Sequence, residues 1–280
     1  MSRNFGNRLF LLFCFLLLSA GLGIMSYPTV SNWLVEYDAR VEISGYNTAV
    51  EEKDASVRME MMDEAAQYND ILKDPAKKTS MVSYNDLLAV TDAIGYLEIP
   101  KLHIYLPIYH GVEEDVLEKG IGHLPESSLP IGGESTHCVL SGHSGLPTAK
   151  ILTELDELET GDMFYLHVMD QVLVYQVDQI KVVLPEETED IRIVEGQDYV
   201  TLVTCVPYGI NTHRLLVRGS RTEYTPGQLL LQPPAEEAPV ETIPADDLRK
   251  YLIAAVGAVW LLIILLILFV PARKRKGRED

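Results

Sequence analysis

From Ile94 to Ser220 the chain never stays apolar for long. "IGYLEIPKL", "LPIYHG", "THCVLSGH", "DMFYLHVM", "QVLVYQVDQIKVVLP", "YVTLVTCV" and "RLLVRGS" are short runs rich in β-branched and aromatic residues, cut by Gly/Pro turns. Side chains of that kind suit a pleated surface, and Gly and Pro end it. The pattern predicts six or seven strands in about 130 residues, a mainly β region folded as a barrel or sandwich. "AKILTELDEL" is predicted as a short helix between strands. No internal repeat is present.

Ahead of this region, residues 29–72 are rich in Glu, Ala, Met, Asp and Arg. "VRMEMMDEAAQYNDIL" favours helix by propensity, and Val57, Met61, Ala65, Tyr68 and Leu72 recur at three- and four-residue spacing to give one apolar face. "KDPAKKTS" breaks it, because Pro75 cannot continue a helix and pushes Asp74 towards an extended conformation.

Two charge-free apolar stretches lie near the ends. Leu9 to Met25 follows Arg3 and Arg8, and its length fits a signal peptide or a short anchor. The small residues around Ser19 to Gly21 make no clean cleavage site, which favours an uncleaved anchor. Tyr251 to Val270 is 20 residues long, enough to cross a bilayer, and "ARKRKGR" follows it. Basic residues beside a span mark its cytoplasmic side. Both termini are therefore expected to be cytoplasmic, with residues from about Tyr27 to Lys250 outside. "PGQLLLQPPAEEAPVETIPADD" reads as a tether to the second span.

The net charge of -18 is unevenly spread. Five of 23 basic residues lie in the last eight positions and two precede the first span, leaving 16 outside; 39 of the 41 acidic residues accompany them, a net of -23. Nucleic acid is an unfavourable partner for such a surface, since phosphate binding needs clustered positive charge.

Of three cysteines, Cys14 sits in the first apolar stretch, and Cys138 and Cys205 lie in the outer region. Those two can pair as a disulfide, or one is kept free. Cys205 closes one strand run and Arg214 opens the next, with eight residues between them. A hairpin can bring both to one end of a sheet. A thiol needs a base or cation nearby to become a good nucleophile, and a guanidinium can hold a developing oxyanion. Seven histidines are candidates for the base. His143, in "LSGHSGLP", follows a strand and sits in a Gly-flanked turn, a place from which it can reach a cleft.

"TLVTC" matches the TLxTC signature of the sortases, cysteine transpeptidases of the Gram-positive cell surface. "SGHSGLP" resembles their histidine motif, and Arg214 falls where the family carries its arginine. "GYLEIPKLHIYLPIYHG", "GIGHLPESSLPIGG" and "TLVTCVPYGINTHRLLVRG" resemble the class C, pilus-assembling branch, over about residues 60–222. The resemblance implies a sortase-type β-barrel with a helical N-terminal extension and lid, flanked by two transmembrane helices. It implies Cys205 as nucleophile, His143 as general acid/base and Arg214 as oxyanion or substrate clamp. The implied reaction cleaves an LPxTG-like sorting signal between Thr and Gly through a thioester, then transfers the acyl group to a lysine amine of a pilin. No metal or organic cofactor is implied.

The branch also carries a lid with an Asp-Pro-aromatic motif. Asp74 and Pro75 match it, with Asp74 a partner for Arg214, but Ala76 stands in place of the aromatic. Ser144 stands where the branch usually has an arginine, a change expected to bear on substrate docking. The implied organisation is a cytoplasmic N-terminus (1–8), a signal-anchor (9–26), a helical extension and lid (27–80), the catalytic barrel (81–225), a linker (226–250), a second span (251–270) and a basic cytoplasmic tail (271–280). Rival readings are a cell-wall-anchoring sortase or a sortase-like hydrolase, and a non-enzymatic bitopic surface protein with a 138–205 disulfide. A sortase substrate is disfavoured, because "IPADD", "LPESS", "LPIGG" and "LPEET" all lack the Thr-Gly of a cleavable motif.

Overall fold

The computed structural model describes residues 3–73, 83–144, 150–223 and 245–269. The chain divides into two compact units, Met1–Val30 with Pro239–Asp280, and Ser31–Ala238. In the first, Phe15 and Trp260 meet with ring centroids 5.5 Å apart. Helix α1 runs from Arg3 to Glu52 without a break, with Pro28 inside it. Among the described residues it is the one helix long and apolar enough to cross a membrane, by length and composition. Helix α3, Ala245–Phe269, carries a shorter described apolar stretch, Ile253–Leu265.

Eight strands form a closed barrel in the second unit: β1 (Ala93–Ile99), β2 (Ile104–His110), β3 (Ile121–His123), β4 (Thr136–Ser141), β5 (Met163–Val168), β6 (Gln171–Val183), β7 (Asp198–Val206) and β8 (His213–Arg221). They close in the order β1-β2-β3-β4-β7-β8-β6-β5, and β5 pairs back onto β1. Two pairs are parallel, β2 with β3 and β4 with β7. Leu97, Ile99, Ile108, Ile121, Leu140, Phe164, Leu166, Val200, Leu202 and Val217 fill the interior. Gly219 is needed there, since a Cβ would come within 2.6 Å of the Phe164 ring. The strand pattern read from the sequence holds, with β3 added. The helix expected over "AKILTELDEL" is instead a single 3-10 turn, Leu155–Glu157, within the part of that stretch the structure describes.

Helices cover the outside of the barrel. Ala39, Ile43, Tyr46 and Val50 of α1 are buried, at the three- and four-residue spacing of one helix face. The Tyr46 hydroxyl accepts from Met169 N at 2.8 Å and donates to Ile94 O at 3.3 Å. Helix α2, Ala55–Lys73, buries Ala65, Tyr68 and Asn69. Val57 departs from the expected apolar face and is exposed. Asn69 compensates for its polarity by pairing with the Leu129 backbone, donating to Leu129 O at 3.3 Å and accepting from Leu129 N at 2.7 Å. Arg58 Nη1 donates to Val50 O and Lys53 O, satisfying carbonyls at the α1–α2 corner.

His123 is the most enclosed titratable group of this layer. Its Nε2 lies 2.9 Å from Ser128 O, which can only accept, so Nε2 carries the proton. Nδ1 is then bare and accepts from the Tyr84 hydroxyl at 2.7 Å. Burial disfavours the charged ring and lowers the pKa from 6.5 to about 4. Burial lowers His110 and His137 in the same direction. The unfolded chain binds these protons near pH 6.5 and the folded chain resists them. The histidine contribution to stability is therefore full above pH 6.5 and lost as pH falls towards 4. His123 alone accounts for roughly 3 kcal/mol over that window, from 1.36 kcal/mol per pKa unit. Denaturant midpoints should fall steadily from pH 7 to pH 5, and a folded His123→Asn variant should show a shallower decline.

Candidate active site

The site begins with strand register. β7 and β8 pair antiparallel, and Cys205 stands directly opposite Arg214. Gly142 N donates to Val203 O at 3.0 Å, and the Ser144 hydroxyl donates to Cys205 O. Both carbonyls therefore point towards β4 and away from β8. Cys205 and Arg214 form a non-hydrogen-bonded pair, the closer of the two antiparallel spacings, with Cα atoms typically about 4.5 Å apart. Their side chains share one face of the sheet, as directly paired residues do.

The same alternation sorts the two outer cysteines. Cys138 on β4 is level with Val200, which lies an odd number of residues from Cys205 and so faces the other way. Cys138 is buried in the barrel and Cys205 is half-buried on the opposite face; both are free thiols. The 138–205 disulfide of the non-enzymatic reading is thus excluded by sheet geometry. Burial pushes the Cys138 thiol well above its ordinary pKa.

His143 follows the end of β4. A Cβ on Gly142 would point at Leu152 and Ile121, within 2.8 and 3.1 Å, so this backbone lies flat against interior residues. On either side of His143, Gly142 O accepts from the Thr204 hydroxyl and the Ser144 hydroxyl donates to Cys205 O, which keeps the histidine segment beside the end of β7. Its Nε2 is buried and has no hydrogen-bond partner among the described residues. A buried ring nitrogen held without a partner is unusual and available for proton transfer. Arg214 donates through Nη1 to Asn211 O at 3.2 Å and His213 O at 3.1 Å, which anchors the guanidinium to its own loop.

His110 shares the feature of a buried ring nitrogen, Nδ1, without a partner among the described residues, while its Nε2 lies 2.7 Å from Leu87 O. Three further histidines have partners of their own. His137 Nε2 lies 2.7 Å from Thr201 Oγ1 and Nδ1 lies 2.8 Å from Arg192 O. His213 faces away from Arg214 in the strand and lies 2.9 Å from the Thr212 hydroxyl through Nδ1. His167 lies 2.8 Å from Glu98. Asp74 and Pro75 fall outside the described residues, as does Ala76. Ser144, which stands where the class C branch usually has an arginine, places its hydroxyl on the backbone carbonyl of Cys205. Sequence reasoning missed Thr204, whose hydroxyl donates to Gly142 O at 2.8 Å. No local pattern could have shown either contact, since each joins segments more than 60 residues apart.

Among the described residues, no group of three or more His, Cys, Asp or Glu is placed to hold a metal ion. A cavity of about 550 Å³ lies elsewhere, lined by Arg40, Glu98, His103, Tyr105 and Lys150 among others, and none of the three candidate residues lines it. The chemistry gathered at the β7–β8 end is a thiol, a guanidinium opposite it and an imidazole from the adjoining strand. That set can form, stabilise and resolve an acyl–sulfur bond.

A sortase domain model matches residues 97–222. The solved structure of sortase C1 from Streptococcus agalactiae shares 46% identity, covering 66% of this chain and 99% of that one with a TM-score of 0.62. The chain belongs to the sortase family. Sortases are cysteine transpeptidases that act on proteins bearing LPxTG-type sorting motifs. Another class C structure, the Clostridium perfringens sortase C with the C-terminal cell wall sorting motif, shares 44% identity over 66% of this chain and 100% of that one, with a TM-score of 0.61. Sortase D of Bacillus subtilis is 34% identical over 132 residues, which span 46% of this chain and 64% of that sortase, just under two thirds of its length.

The two outer cysteines of this sortase should differ sharply in reactivity. Alkylation of folded protein, read by peptide mass spectrometry, should modify Cys205 and spare Cys138, and Cys138 should react only after denaturation. Equal labelling of both in the folded state would contradict the opposite-face arrangement.

Proposed function

We propose that the chain is a membrane-anchored, pilus-assembling sortase. Its thiolate, Cys205, attacks the threonine carbonyl of an LPxTG-like sorting signal. Arg214 holds the resulting oxyanion. The Thr–Gly bond breaks as His143 protonates the departing glycine amine, leaving a Cys205 thioester. A lysine ε-amine of a pilin then attacks the thioester and gives up a proton to His143. The new amide forms, and the thiolate leaves. The observation that carries this reading is the direct pairing of Cys205 with Arg214, beside a histidine whose buried ring nitrogen lacks a partner among the described residues.

The class C reading is supported by likeness to class C structures over nearly their whole lengths. The layout that goes with it is an extracellular barrel over residues 81–225, spans at 9–26 and 251–270, and both termini cytoplasmic. It rests on the charge flanking the two apolar stretches. Asp74 and Pro75 belong to this reading as a lid on sequence grounds, with Asp74 as a partner for Arg214.

The test is incubation of the protein with LPxTG-type peptides and a lysine-bearing acceptor, with mass spectrometry for thioester and product. Cys205→Ala should abolish both. His143→Ala and Arg214→Ala should each lower turnover on the order of 100-fold or more. Full activity in the Cys205 variant would refute the assignment. Product containing water in place of the amine, at any acceptor concentration, would make the protein a hydrolase. Asp74→Ala should raise the rate of Cys205 alkylation and of peptide turnover; unchanged rates would make that segment a linker.

A further inference from the structure

Beyond the end of β4, the histidine segment no longer belongs to a regular ladder, yet it stays attached to the nucleophile strand. Three successive β7 residues hold it. Val203 O accepts from Gly142 N at 3.0 Å, the Thr204 hydroxyl donates to Gly142 O at 2.8 Å, and Cys205 O accepts from the Ser144 hydroxyl. His143 lies between the tethered residues, and its own carbonyl accepts from Leu152 N at 3.0 Å.

Thr204 is 3% exposed and, by strand alternation, faces the barrel interior, away from the face that carries Cys205 and Arg214. Its hydroxyl is committed to Gly142 O, so it acts on the reaction through another residue. Ser144 reaches the carbonyl of the nucleophile residue itself. Resting on the catalytic reading above, we propose that Thr204 and Ser144 are positioning residues that register the His143 ring against the Cys205 thiol.

The reasoning is geometric. Proton transfer needs the ring nitrogen within hydrogen-bond reach of the reacting atoms, and supporting groups must hold such sites to within about 0.5 Å. A displacement of about 1 Å can cost on the order of 100-fold in rate. Strand pairing fixes Cys205, but His143 lies two residues past Ser141, the last residue of β4 and its last ladder partner. The two hydroxyls take over where the ladder stops. Removing the Thr204 hydroxyl also leaves a buried carbonyl without this donor, so the Gly142 peptide has reason to shift.

The experiment uses the full chain in detergent, with an LPxTG-type peptide and a lysine-bearing acceptor. It compares Thr204→Val, Thr204→Ser, Ser144→Ala and Ser144→Thr with wild type, and Cys205→Ala and His143→Ala run in parallel. The readouts are kcat and KM, the pH profile of Cys205 alkylation, and the denaturation midpoint. Thr204→Val should lose about 10-fold or more in kcat with KM within about twofold, as expected when geometry at the reacting atoms changes and binding does not. Its alkylation profile should move along the pH axis, because the ring beside the thiol has moved. Thr204→Ser should restore both. Ser144→Ala should lose several-fold in kcat, with recovery in Ser144→Thr.

Normal kcat and an unmoved alkylation profile in Thr204→Val and Ser144→Ala would overturn the proposal. So would losses that follow the denaturation midpoint alone and are not restored by the hydroxyl-bearing variants. If Thr204→Val does not fold, the Ser144 pair decides by the same criteria. Activity retained by Cys205→Ala or His143→Ala would refute the catalytic reading instead, whereas dead parallel variants beside a normal Thr204→Val would refute the positioning inference only.

Discussion

The parallel pairing of β4 with β7 is the contact on which the rest of the structure depends. It joins Thr136–Ser141 to Asp198–Val203, segments about 60 residues apart, and it obliges the intervening chain to leave and return. β5 and β6 make that excursion and close the barrel against β1 and β8. The candidate site is a continuation of the same register. β7 runs on past the end of β4 to Cys205, and the β4 chain runs on to His143. β8 adds Arg214 by antiparallel pairing with that same strand, so one strand presents the thiol and orders both of its neighbours.

The helices outside the barrel do a related job with buried polar contacts. Asn69 grips the Leu129 backbone, the Tyr68 hydroxyl accepts from Glu126 N, and Tyr84 holds His123. The first two act on the stretch between β3 and β4 and the third on the last residue of β3, so all three lie just ahead of the strand that leads to His143. A buried polar group tolerates little misalignment, because a lost partner is not replaced by water. Apolar contacts such as Ala65 and Ile43 supply attraction without direction, and these hydrogen bonds supply the direction. The helical layer thereby braces the segment that feeds the site.

Much of this was legible in the chain. The strands showed themselves through β-branched runs between turns, and TLVTC and Arg214 lie on the two strands whose register sets Cys205 opposite Arg214. β3 escaped notice because three residues, Ile121–His123, are too few to establish a period. Val57 fitted a helical face by spacing, but burial depends on what lies opposite, and that is set by tertiary packing. Asn69 would not be chosen as a core residue on polarity; only the Leu129 backbone explains it. Among the seven histidines the sequence singles out His143 by its Gly-flanked turn and the SGHSGLP motif. In the structure His123 and His137 have partners on both ring nitrogens. His110 and His143 each keep one buried ring nitrogen without a partner among the described residues. Of these two, His143 is the one whose neighbours Gly142 and Ser144 bond to Thr204 and Cys205.

The odd-and-even logic of β7 and β8 also divides the molecule into parts that can and cannot change length. A single-residue insertion inside either strand would turn the thiol or the guanidinium to the wrong side of the sheet. Between the strands, the loop that carries Tyr208 and Ile210 obeys no such parity, and both side chains are largely exposed, at 64% and 67%. These exposed side chains can be exchanged without turning Cys205 or Arg214 to the other face, whereas the Asn211 carbonyl of the same loop holds the Arg214 guanidinium. Register therefore constrains the two strands tightly and the exposed tip of the loop only loosely, so a lineage of such proteins has room to vary the surface at Tyr208 and Ile210 while the alignment of Cys205 with Arg214 stays as it is.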